Sequence, residues 1–329
     1  MKFFYPAAAA YAALMLPFSA LVLPPGAHAH EMLLGFALAV VAGNQLGPAG
    51  ARRTLALLFA WAAARVAFLA SPAGAPAVVL NVLFPALLAA QVAPRLFGAA
   101  KKWRNRALPV VLVSLCAAAV AWHFAEVTYA TVALFALLML FMGGRILAPA
   151  LAGQLHRQGE RLDARVQPRI EATLIVAGFV AAAGFAANAP VSLTALALLV
   201  AGSIAALRLF RWRLWALRGR PDLLCLACGY AWLALGLMAL GAALAANRHQ
   251  SAALHLITVG ALGTLTLNVM AQSWLLKARR DPSRSIGIVA GTALVALATV
   301  LRVAGLLEAA AACWSAAFLT LLAVFRARR

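Results

Sequence analysis

The chain has 329 residues, 65% hydrophobic and only 11% charged, with a formal net charge of +20 and a mean hydropathy of +0.94. Soluble domains run at roughly 45–50% apolar and about 25% charged, so folding alone cannot hide this surface from water and the chain's solvent is lipid. The positive charge does not mark a nucleic-acid binder: the basic residues stand in short clusters between apolar runs, and no soluble stretch is long enough for a reading domain.

In lipid every backbone N–H and C=O needs an internal partner, which leaves helices or closed barrels. A barrel strand alternates apolar and polar positions. Here the apolar runs are continuous over roughly 17–22 residues, the length a helix needs to cross about 30 Å of hydrocarbon. The fold class is therefore all-α, a polytopic membrane helix bundle. Twelve spans are predicted in chain order, at 6–23, 31–47, 54–71, 76–94, 107–124, 128–148, 170–187, 190–209, 223–245, 252–275, 285–303 and 306–325. No domain boundary shows, and 1–329 reads as a single transmembrane domain.

The loops alternate in charge. Lys2 precedes the first span, and Arg52 and Arg53 follow the second. Arg95, Lys101, Lys102, Arg104 and Arg106 follow the fourth, and Arg145, Arg157, Arg161, Arg165 and Arg169 the sixth. Arg208, Arg211, Arg213, Arg218 and Arg220 follow the eighth. Lys277, Arg279, Arg280 and Arg284 follow the tenth, and Arg326, Arg328 and Arg329 end the chain. Of 28 Lys and Arg residues, all but Arg65, Arg248 and Arg302 fall on one side. The positive-inside rule makes that side cytoplasmic and places both termini there. Ala27-His28-Ala29 after the first apolar run also resembles a signal-peptide cleavage site, but a retained first helix is preferred. The basic loop over about 151–169, with Glu160 and Asp163, reads as a solvated connector. Cys225-x-x-Cys228 has no second pair at metal spacing and opens an apolar run, where cysteine behaves as a small buried hydrophobe.

This topology sorts the polar residues by side. His28, His30 and Glu31, then His123 and Glu126, then His249 and His255, all fall at the outer ends, with only His156 opposite. Arg65 lies about 9 Å below the outer end of the third span at 1.5 Å per residue, and Asn81 at similar depth in the fourth. Ionisable groups within spans are costly and mark function by default. Arg65 has no opposite charge on its own helix, so Glu31, Glu308 or an anionic ligand such as a haem propionate is the expected partner. Arg302 sits near the outer end of the eleventh span, where snorkelling to the headgroups is the alternative. Neutral imidazole suits copper, zinc and haem iron. In a helix the rings of His28 and His30 point about 200° apart, whereas in an extended lead-in after Pro24-Pro25-Gly26 they point the same way. Gly260-x-x-Gly263 and Gly287-x-x-x-Gly291 read as close helix packing. No carboxylate pair, Ser–His–Asp order or phosphate-binding loop is present.

Several stretches match a known family. Ala27-His28-Ala29-His30-Glu31-Met32-Leu33-Leu34-Gly35-Phe36 resembles the WHAHEM-L-GF signature of the NnrS family. Leu254-His255-Leu256-Ile257-Thr258-Val259-Gly260-Ala261-Leu262-Gly263-Thr264-Leu265-Thr266-Leu267 is similar to its LHALTVGAIGTMTL segment. Gly143-Gly144-Arg145-Ile146 resembles its GGR-I motif, and Gly229-Tyr230-Ala231-Trp232-Leu233 its GYAWL. The resemblance implies a bacterial inner-membrane protein carrying haem and copper, linked to nitric oxide metabolism and nitrosative stress tolerance, with denitrification or electron-transfer proteins as expected partners. By match, His28, His30 and His255 are the implied metal or haem ligands, and Arg65 and Arg302 fall where members tend to carry Arg. The chain departs from the family at Asn44-Gln45-Leu46-Gly47, at Ala271–Arg279, at Ala227-Cys228 and at Asn81, where an Asp is usual. These departures imply that at most one of the two metals is kept, with haem preferred, and His28, His30 and His255 are expected to converge. The alternatives are a transporter and a metal-free assembly partner.

Overall fold

The computed structural model describes residues 3–47, 50–162 and 167–327. Lys2, Asp163, Arg165, Arg328 and Arg329 of the sequence argument lie outside the described residues. Twelve helices are long and apolar enough to cross a membrane. They are α1 (Phe4–Val22), α2 (Pro25–Gln45), α3 (Ala51–Ala70), α4 (Ala75–Ala99), α5 (Trp103–Ala121) and α6 (Thr128–Arg157), followed by α7 (Pro168–Ala186), α8 (Val191–Arg211), α9 (Pro221–Ala245), α10 (Ser251–Lys277), α11 (Ile286–Val303) and α12 (Leu307–Arg326). The described residues contain no strand. The chain is thus an all-α, multi-pass membrane protein, with a helix at every predicted span.

Two boundaries differ most from the sequence expectation. Helix α2 begins at Pro25, ahead of the predicted start at 31, so His28 and His30 lie in its first turns and not in an extended lead-in. Proline at the first helical position explains the early start, since its fixed φ suits a helix and its missing N–H would be unpaired there anyway. Helix α6 runs on to Arg157, well into the loop expected from 151.

The helices are inverted relative to those of a soluble protein. In α3, Leu57, Trp61, Ala64, Arg65 and Phe68 are buried, at helical spacing. Phe59 and Val66, on the opposite side of the same helix, are exposed. Polar groups inside and bare hydrocarbon outside is the pattern that lipid selects.

Contacts group the chain into two compact units, Met1–Thr131 and Val132–Arg329. In the first, α1 packs along α2, α3 touches the middle of α2, and α3, α4 and α5 pack in sequence. In the second, α7, α8 and α9 pack in sequence, α9 and α11 flank α10, and α11 pairs with α12.

Two helices are not α throughout. In α2 the ladder widens to π over Glu31–Ala37, and in α10 over Leu256–Gly263. Each π stretch starts on the residue after a histidine, His30 and His255 respectively. Such stretches are rare and favour functional sites, because the wider turn re-aims side chains.

Candidate functional site

In the first unit the polar side chains meet inside the protein around Glu31. Its carboxylate accepts from the Tyr11 hydroxyl of α1, from His30 Nδ1 at 2.8 Å, and from Arg65 Nη1 at 2.7 Å. The other Arg65 terminal nitrogen, Nη2, donates to Asn81 Oδ1 of α4, and Asn81 Nδ2 donates to Ala77 O at 2.8 Å. One chain of hydrogen bonds therefore ties α1, α2, α3 and α4. Glu31 is wholly buried and Arg65 is 4% exposed. Of the partners the sequence offered Arg65, Glu31 is the one that it pairs with, and the two charges cancel.

Gly35 makes room for this pair. A Cβ there would lie 3.0 Å from Tyr11 Cε1, 3.1 Å from Glu31 Oε2 and 3.3 Å from Arg65 Nη1. Its carbonyl also accepts from Trp61 Nε1 at 2.8 Å. The ring of Trp61 meets Tyr11 edge-on at 5.4 Å, which holds the hydroxyl toward Glu31.

The His30 tautomer follows from its partner. A carboxylate that is ion-paired to arginine only accepts, so Nδ1 carries the proton and Nε2 the lone pair. That Nε2 is buried and has no hydrogen-bond partner. The ring lies flat on Phe68, centroids 3.8 Å apart at 9°, with Trp122 edge-on at 5.7 Å and His123 at 5.9 Å. His123, in the turn after α5, also has a buried Nε2 without a partner. Burial, reinforced by the Arg65 charge, lowers its pKa and keeps it neutral at pH 7.

His28 and His30 diverge, as a helical spacing of two requires. His28 Nδ1 contacts Ser19 Oγ at 2.9 Å. Ser19 has a single hydroxyl proton and gives it to Leu16 O at 2.8 Å, so His28 donates to Ser19 from Nδ1. His28 is held against α1, while His30 faces the interior.

In the second unit His255 Nδ1 lies 2.6 Å from Ser251 O. A carbonyl only accepts, so Nδ1 is protonated and Nε2 carries the lone pair. Half-buried Arg302 of α11 is near enough for its charge to act on this ring. Glu308 is exposed. Gly260 and Gly263 do serve close packing: a Cβ on Gly260 would lie 3.0 Å from Trp232 Cγ, and one on Gly263 2.6 Å from Trp314 Cζ3.

A further buried cation was not foreseen. Arg208 is 6% exposed and sits over the Trp212 ring, 5.1 Å from its centroid. It lies directly against Gly144, while the Tyr230 ring lies against Gly143. The GGR and GYAWL segments therefore meet, side by side, across α6 and α9. Cys225 and Cys228 are free thiols on α9. Among the described residues, no group of three or more His, Cys, Asp and Glu side chains gathers as a metal site.

A family model described as NnrS protein matches residues 1–327. The chain belongs to the NnrS family. No curated protein matches it. The four segments that resemble NnrS motifs fall on the structural features just described: His30 and Glu31 on the first π stretch, His255 at the head of the second, and the glycine pair against Tyr230 and Arg208. Asn81, where the NnrS family usually has Asp, still accepts from Arg65 as a carboxylate would, but brings no charge.

Proposed function

We propose that this NnrS protein binds haem or copper through its membrane-embedded histidines and acts in the handling of nitric oxide. The observation that carries this reading is His30. Its Nδ1 proton is held by a buried carboxylate, and its Nε2 lone pair has no partner in a dry, aromatic surround. Metal-bound histidines characteristically donate their second nitrogen to a carboxylate or carbonyl, which fixes the tautomer and raises basicity. His255 has the carbonyl version of this arrangement and is the second candidate ligand. Copper and haem iron both bind nitric oxide at an open coordination position. Arg65 neutralises Glu31, so that the carboxylate can hold the His30 proton without leaving a buried charge unpaired. Phe68 and Trp122 shield the ring from water.

His28 is held to Ser19 and joins this reading as a candidate on the family match. Arg302, near His255, is the better placed of the two arginines to meet an anionic cofactor group, because Arg65 already has Glu31. The proposed location is a bacterial inner membrane, on the family match, with both termini cytoplasmic on the charge alternation, and electron-transfer or denitrification proteins are the proposed partners. The test is the absorption spectrum and metal content of the purified full chain, with growth under nitric oxide of cells with and without it. A haem band or bound copper, together with nitric oxide sensitivity on deletion, supports the reading. A metal-free protein whose deletion changes nothing refutes it.

A further inference from the structure

Two neighbouring imidazole rings of the first unit each have a buried nitrogen without a hydrogen-bond partner. One is His30 Nε2, at the head of the π stretch of α2. The other is His123 Nε2, in the turn after α5. By sequence His123 falls at an outer end, in the loop after the fifth span, with no role assigned to it. No hydrogen bond joins the two, although the ring centroids are 5.9 Å apart and the planes are inclined at 65°. A buried polar atom with no partner costs free energy, and two together, one of them a fixed lone pair, call for a shared cation.

We propose that His30 and His123 bind one copper(I) ion between their Nε2 atoms. The inference rests on the metal-binding reading above and adds to it a second ligand, His123.

The spacing fits. An imidazole nitrogen sits about 2 Å from its metal and the ring centre roughly 1 Å further back, so two rings on one ion have centroids about 5 Å apart at a tetrahedral angle and about 6 Å apart when collinear. The observed 5.9 Å falls near the open, collinear end. Copper(I) is content with two nitrogen ligands. Zinc takes four ligands in a structural site and three with a water in a catalytic one, and no third His, Cys, Asp or Glu joins these two among the described residues. Imidazole is a natural ligand for copper.

Phe68, stacked on the His30 ring at 3.8 Å, and Trp122, at 5.7 Å, give the ion an apolar surround. Charge also favours a monovalent ion: Glu31 and Arg65 already cancel, so the site adds one positive charge to an apolar pocket and not two.

The experiment is a copper(I) competition titration of the purified full chain against a chromophoric copper(I) chelator, with copper(I) alone as probe. X-ray absorption of the loaded wild-type protein accompanies it. The inference expects one copper(I) per chain, nitrogen scatterers at about 2 Å with imidazole outer-shell features, and loss of affinity in both His30→Ala and His123→Ala. Loss of an outer-sphere partner costs roughly 10–100-fold, so His123→Ala should exceed that range. If His123→Ala misfolds, the number of imidazoles in the wild-type absorption spectrum decides alone: two supports the site, one refutes it. If copper or iron is lost in His30→Ala but kept in His123→Ala, this inference fails while the metal-binding reading stands. A wild-type chain that takes up neither metal defeats both.

Discussion

Arg65 of α3 reaches across to Glu31 of α2, Nη1 to Oε1 at 2.7 Å, with both side chains shut away from solvent. The pair is the hinge of the site, because the same Oε1 holds the His30 proton.

Removing one partner should cost more than removing both. Arg65→Leu leaves Glu31 buried and uncompensated, a loss of about 3–5 kcal/mol. Arg65→Leu combined with Glu31→Leu should recover part of that. Thermal unfolding of the detergent-solubilised proteins, read by a cysteine-reactive dye or by soluble fraction after heating, checks the order. Equal stability of Arg65→Leu and wild type would mean that the pair carries no weight.

Gly35→Ala should strain the same network from the side. Its methyl would press Tyr11, Glu31 and Arg65 at 3.0–3.3 Å. Overpacking of this kind costs about 1–3 kcal/mol. The expected result is a lower unfolding temperature together with reduced metal content, since the displaced carboxylate no longer holds His30.

The sequence showed most of this frame and less of the site. Hydropathy alone locates all twelve helices, because lipid imposes a continuous apolar run that few soluble segments imitate. The Arg65 partner was narrowed to a short set because a buried charge with no opposite sign on its own helix must look elsewhere. His123 was hidden because its approach to His30 depends on how the turn after α5 folds back, and no periodicity encodes that. Arg208 was hidden for another reason. At the end of an apolar run it looks like one more interfacial cation, and only the absent side chain of Gly144, on another helix, gives it a place inside. The spacing of His28 and His30 allowed two conformations, and the choice fell to Pro25 starting the helix early.

Gly144→Ala tests the second buried cation. Its methyl would collide with the Arg208 guanidinium, which is also packed over Trp212. Destabilisation of about 1–3 kcal/mol is expected, with relief when Arg208 is shortened to Ala in the same chain. A thermal shift series on the three variants reads this out. Additive losses would mean that the two residues do not touch.

The charge alternation predicts sidedness. Reporter fusions near residues 100, 160, 215 and 280 should report the cytoplasm, and fusions near 26, 125, 189 and 249 the outer side. One interior fusion on the wrong side contradicts the orientation.

The central claim, that His30 presents its Nε2 to a metal, has a direct measurement. Iron and copper are quantified by mass spectrometry in the purified full chain and in His30→Ala, each checked for a monodisperse elution profile. The account predicts close to one metal per wild-type chain and a loss of most of it in the variant. Wild-type metal content unchanged by His30→Ala, or absent from both, would contradict it.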